Sequence, residues 1–123
     1  MRKIAIIGCG ISGLYFANLL QKNSEYNYTI FEKRSKLDYE DGYGIQLSVN
    51  SIKLLNKIGF NKINDYEIFN PKEINFFDAK TVKKICKIDI TKFNYDKNYY
   101  TTLKRFNLIK FLLKNIPEEK IKF

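Results

Sequence analysis

The chain has 123 residues, 45% of them hydrophobic and 15% aromatic, enough for one small domain with its own core. It contains no histidine and two cysteines, Cys9 and Cys86, so a histidine-based triad, a typical zinc site and a disulfide framework are all excluded. The formal net charge is +9, yet the lysines are spread over every segment and only Arg2, Arg34 and Arg105 are arginine. That scatter fits a compositional bias better than the basic stripe a nucleic-acid interface needs.

The chain opens on a β-branched run, Lys3–Ile7, that predicts a buried parallel strand. The loop Gly8-Cys9-Gly10-Ile11-Ser12-Gly13 follows, with G-x-G-x-x-G spacing. A helix is predicted from about Ser12 to Lys22, and a second strand over Tyr28–Phe31 ends on Glu32. Glu32 lies 19 residues after Gly13, close to the roughly 20 expected for a ribose-binding carboxylate.

Each residue type in this stretch has a physical purpose. Gly8 permits the tight turn out of the strand, Gly10 lets a diphosphate approach the backbone, and Gly13, with Ala17 one turn on, lets helix and sheet pack closely. The amides of the first helical turn and the helix dipole attract phosphate. Glu32 is placed to accept bonds from ribose hydroxyls and would repel a 2′-phosphate. Cys9 at a helix N-terminus could be reactive, although a small residue filling a tight loop is the simpler reading.

A polar loop is expected over residues 33–41. Gly42-Tyr43-Gly44-Ile45-Gln46-Leu47 then leads into a short strand, with glycines that allow close approach to a flat ligand or to another backbone. Val49, Ile52, Leu55 and Ile58 recur on one helical face, with Ser48 or Asn50 as cap and Gly59 as stop. Residues 60–70 are irregular. Two alternating runs, Glu73–Phe77 and Ile85–Ile90, joined by the turn Asp78–Thr81, predict an antiparallel hairpin within 72–91. Lys83, Lys84 and Lys87 would lie on a solvated face. The last helix is expected to begin near Thr101–Arg105, carrying a Leu108, Ile109, Leu112, Leu113 and Ile116 stripe and ending at Pro117. Arg105 in its first turn opposes the helix dipole, which points to another task such as reaching a phosphate or ribose. Glu118–Phe123 turns toward one more strand. No apolar run reaches membrane length, and the N-terminus enters a strand without a signal-peptide pattern, so a cytoplasmic location is expected.

The first loop, together with Phe31-Glu32-Lys33-Arg34, then Glu40-Asp41-Gly42-Tyr43-Gly44-Ile45-Gln46-Leu47 with Asn50, then Arg105-Phe106-Asn107-Leu108 with Leu112, resembles the N-terminal part of the FAD-dependent aromatic-ring hydroxylases. The salicylate, 3-hydroxybenzoate and ubiquinone-biosynthesis hydroxylases are the most similar kind. This resemblance implies an α/β fold: an incomplete Rossmann-like FAD-binding domain with an inserted antiparallel β-hairpin. It implies that Gly8, Gly10, Ile11, Ser12 and Gly13 contact the FAD diphosphate, and that Glu32 binds the adenosine ribose with Lys33 and Arg34 nearby. Gly44 and Ile45 would lie toward the flavin, and Arg105 would contact the cofactor. The flavin, reduced by NADH or NADPH, would use O2 to hydroxylate a small aromatic or quinone-like substrate. No catalytic acid or base is implied.

The departures also matter. Tyr43 stands where a small residue is common and Ser48-Val49 where glycine-proline is common. The family's later aspartate-glycine and glycine-aspartate motifs have no counterpart. The chain alone is therefore expected to be inactive and to need the remainder of the enzyme or a complementing chain, with edge strands and apolar faces left bare. The competing readings are another FAD- or NAD-dependent oxidoreductase sharing only the dinucleotide loop, and a non-enzymatic nucleotide-binding module.

Overall fold

The computed structural model describes residues 1–35 and 42–123. The expected polar loop beyond Ser35, with Glu40 and Asp41 of the resemblance, lies outside the described residues. The chain divides into two compact units, residues 1–43 with 104–123, and residues 44–103.

In the first unit, β1 (Arg2–Ile7) pairs in parallel with β2 (Tyr26–Phe31), placing Ile4 opposite Tyr28, Ile6 opposite Ile30 and Ile7 opposite Phe31. A short β8 (Ile121–Lys122) extends the sheet on the other side of β2, giving the order β1-β2-β8. The connection between β1 and β2 is α1 (Ile11–Gln21), as a parallel pair requires. Side chains alternate along a strand, so Ile6, Tyr28 and Ile30 share one face, and all three are buried. Helix α1 packs on both strands, and α3 (Arg105–Leu113) packs on α1. Leu14, Ala17, Leu108 and Leu112 have no exposed surface.

The apolar run of β1 is buried on one face only. Ile7 is 82% exposed and Phe31 is 46% exposed. The prediction of a fully buried strand is thus not met: within β1 only Ile6 is buried and Ile4 half-buried, because α1 packs on one face of the strands.

In the second unit, β3 (Gly44–Leu47), β7 (Thr101–Lys104, its last residue in the first unit) and β4 (Ile68–Phe69) form a sheet in the order β3-β7-β4. Helix α2 (Val49–Asn56) buries Val49, Ile52 and Leu55, as the periodicity predicts. Ser48 occupies its N-cap position, but its hydroxyl does not cap; it lies 3.4 Å from the Ser51 hydroxyl. Gly59, with φ of +93°, provides the stop.

The expected hairpin is present as β5 (Glu73–Phe77) and β6 (Lys84–Asp89), antiparallel, with Ile74 opposite Ile88 and Phe76 opposite Cys86 and a register shift after Phe76. Its turn is held by the Asp78 carboxylate, which accepts bonds from the Lys80 and Thr81 amides and the Thr81 hydroxyl. Lys84 and Lys87 are exposed, as expected.

One boundary differs from expectation. Thr101–Lys104 is strand, and the helix begins only at Arg105. β-Branched Thr101 and Thr102 suit a strand, and Thr102 and Leu103 are taken up by the ladder with β4. The helix also ends at Leu113, short of Pro117, although Ile116 stays buried.

Candidate functional site

The glycine loop joins the C-terminal end of β1 to the start of α1. Gly8 has φ of +99°, a conformation costly for any side chain, and its amide donates to the Phe31 carbonyl at 2.8 Å. The turn is thereby tied to the end of β2. A Cβ on Gly13 would stand 2.2 Å from the Gly8 carbonyl oxygen, so only glycine lets α1 fold back against the loop. A Cβ on Gly10, by contrast, would meet nothing within 4 Å. The space beside Gly10 is open, as an approaching anion requires. Gly10 is also the N-cap of α1 and provides no side-chain cap. The first-turn amides are thus not screened by a capping side chain.

Glu32 completes the arrangement. The parallel register brings the end of β2 beside the end of β1, and Glu32 Oε2 accepts a hydrogen bond from the Cys9 amide at 2.8 Å. Its Oε1 accepts from the Arg34 amide at 3.1 Å. The Cys9 amide, then the Arg34 amide, hold the Glu32 carboxyl below its ordinary value, so it is ionised at neutral pH. Cys9 behaves oppositely. Burial, and secondarily the Glu32 charge, pushes its thiol up to about 11. A neutral, buried thiol is a poor nucleophile, so Cys9 is the small loop-filling residue of the simpler reading.

A cavity of about 300 Å³ opens between these parts, at the lower end of the range for ligand pockets. Gly8, Cys9 and Gly10 form its floor, and Glu32, Lys33, Arg34 and Arg105 supply charge. Ile7, Phe31 and Ile109 supply the apolar wall. Arg105 is the first residue of α3, and its amide donates to the Tyr43 carbonyl at 3.2 Å. A Cβ on Gly42 would lie 3.0 Å from Arg105 Cβ and 3.2 Å from its Cδ. The close approach that Gly42 allows is therefore to the Arg105 side chain.

Six predicted residues come together here: Gly8, Gly10, Glu32, Lys33, Arg34 and Arg105. Ile11, Ser12 and Gly13 form the first turn of α1 next to the loop without lining the cavity. Gly44 and Ile45 belong to the other unit, in β3. Sequence reasoning missed Ile7, Phe31 and Ile109 as lining residues and considered Cys9, which also lines the cavity, only for its thiol. The first two are the last residues of their strands, and Ile109 lies one helical turn beyond Arg105, so their positions carried a usable signal. Among the described residues no group of three or more acidic, cysteine or histidine side chains is placed to hold a metal. No described helix is long and apolar enough to cross a membrane.

Comparison with known proteins bears on the fold that carries this loop. Residues 6–39 match the family model of an NAD(P)-binding Rossmann-like domain. Over 57 residues, 46% of this chain and 12% of the relative, the sequence is 37% identical to the FAD-dependent monooxygenase dpasE of Apiospora sacchari. The crystal structure of Klebsiella pneumoniae HpxO complexed with FAD and uric acid superposes with a TM-score of 0.78 at 18% identity, over 98% of this chain and 30% of that one. The 2,6-dihydroxypyridine-3-hydroxylase of Arthrobacter nicotinovorans gives 0.71 at 17% identity, over 97% of this chain and 28% of that one. These likenesses show a shared fold. The chain spans less than a third of the length of either structure.

Proposed function

We propose that this chain is the N-terminal portion of the FAD-binding domain of a flavin-dependent monooxygenase that hydroxylates a small aromatic or quinone-like molecule with O2 and NAD(P)H. One observation carries the reading: a glycine loop with open space above Gly10 shares its cavity with an ionised Glu32 and with Arg105, three pieces distant in sequence. The matched relative and the solved structures of the same fold are named as FAD-dependent or hydroxylating proteins, which supports the same assignment.

The residues fit the cofactor's adenosine diphosphate half. The amides of the loop and of Ile11, Ser12 and Gly13 would hold the diphosphate, helped by the helix dipole. Glu32 would accept bonds from the ribose hydroxyls, and its charge would reject a 2′-phosphate. Arg105, with Lys33 and Arg34, would offset the diphosphate charge. Gly44 and Ile45 are assigned toward the flavin by the resemblance. FAD would supply the redox chemistry, and this chain would bind and orient it. Hydroxylation would require the remainder of the enzyme or a complementing chain, since the solved structures of this fold are more than three times as long. A cytoplasmic location belongs to the same proposal and is checked by cell fractionation.

The match to an NAD(P)-binding model makes an NAD-dependent oxidoreductase the second reading. The test is titration of the purified protein with ADP, FAD and NAD, with the visible spectrum recorded after FAD addition. The expected result is binding of ADP and FAD, with a flavin spectrum retained through desalting. A folded protein that takes up neither would overturn the proposal, and one that takes up NAD but not FAD would install the second reading.

A further inference from the structure

Asn18 is 6% exposed, in the body of α1 among Leu14, Ala17 and Leu20. An apolar side chain would be the ordinary occupant of such a position. Its amide nitrogen donates two hydrogen bonds. One goes to the Leu14 carbonyl at 2.9 Å, within its own helix, and fixes the side chain. The other crosses to α3 and meets the Leu112 carbonyl at 2.7 Å. Leu112 lies in the last turn of α3, where carbonyls have no partner inside the helix. Arg105 and Ile109, one turn apart on the same helix, line the cavity.

We propose that Asn18 is a positioning residue for the nucleotide site: by gripping the far end of α3 it sets where Arg105 and Ile109 stand over the glycine loop. The apolar stripe of α3 holds that helix against α1, but apolar attraction is non-directional and leaves sliding along the axis weakly opposed. A short hydrogen bond between a fixed side chain and one carbonyl is directional and specifies the register. The nine residues of α3 span about 13 Å, and an intact helix carries a shift at Leu112 to Arg105 nearly undiminished. This inference rests on the reading of the cavity as an ADP-binding site.

The test is a double-mutant cycle on ADP affinity, measured by titration calorimetry in wild type, Asn18→Leu, Arg105→Ala and the double variant, with thermal unfolding recorded for each. Asn18→Leu keeps the branching at Cγ and removes the donor; Asn18→Ala replaces it if the larger leucine does not allow folding. The expected result is about tenfold weaker ADP binding for the Asn18 variant alone and little additional loss when Arg105 is already alanine. Unchanged affinity in the Asn18 variant, or the same loss on top of Arg105→Ala, would overturn the positioning role. Absence of ADP binding by folded wild type would instead strike the nucleotide reading itself, and this inference with it.

Discussion

In the parallel pair β1–β2 the inward residues Ile6, Tyr28 and Ile30 are buried under α1, whereas in the antiparallel pair β5–β6 every residue of β6 is exposed. Both pairs are hydrogen-bonded along a ladder, parallel in the first and antiparallel in the second. They differ in what sets register. A one-residue slip of β2 would turn Tyr28 and Ile30 out of the core, so burial pins the strand, and with it Glu32 beside the Cys9 amide. A slip of β6 in the hairpin would move exposed side chains to another exposed face. Its register depends on the Asp78 turn, and the ladder already shifts after Phe76. Precise chemistry can be built on the first pair. The second, a two-stranded ribbon with Phe76 48% and Phe77 52% exposed, is marginal by itself.

That contrast can be broken or sharpened by experiment. The largest effect is expected from Gly13→Ala, where the new methyl would meet the Gly8 carbonyl at 2.2 Å. Moving backbone to relieve it should cost about 3 kcal/mol or more, read from denaturant unfolding. A change under 1 kcal/mol would mean that the loop yields and that its register is not pinned.

Glu32→Ala should weaken ADP binding by roughly tenfold to a hundredfold while leaving the fold intact, since it removes bonds to a charged acceptor. Equal affinity in the variant would remove Glu32 from the site. The pH dependence has a defined sign. Glu32 sits below its ordinary 4.5 in the folded chain. Its contribution is therefore present above that ordinary value and is lost as pH falls through the depressed one. Protonation of ADP itself affects both proteins alike, so the affinity ratio of wild type to Glu32→Ala should hold down to the ordinary carboxylate range and shrink toward one below it.

The two cysteines report on the two regions directly. Iodoacetamide at pH 8 should label exposed Cys86 in the hairpin and spare buried Cys9, whose thiol stays protonated until pH nears about 11. Peptide mass spectrometry resolves the two sites; Cys9 labelled as fast as Cys86 would mean an open loop. The smallest effect is expected from Ile88→Thr. On the exposed hairpin it should change stability by no more than about 0.5 kcal/mol and leave ADP affinity unaltered. Amides of β6 should also exchange with solvent faster than those of β2.

Much of this was legible in the residues. The β1–loop–α1–β2 order, the α2 face and the hairpin all follow from periodicities of two or 3.6 and from turn residues, which act over a few positions. The start of α3 was misplaced because Thr101–Lys104 has both a helix and a sheet available, and pairing with β4 decides between them. The exposure of Ile7 was not legible, because an apolar run does not say on which side of a sheet the helices will lie. Gly42 was recognised as a site of close approach, but only the fold shows that the Arg105 side chain is what approaches.

The sequence by itself determined the glycine loop, the carboxylate at the end of the second strand, and the absence of histidine chemistry, because spacing and residue type are local properties. Tertiary structure alone decided that Ile109 joins Arg105 beside that loop, that Asn18 holds α3 to α1, and that Cys9 is shielded. Those outcomes depend on how one helix packs against another across most of the chain, and apolar stripes state only that packing will occur, not in which register.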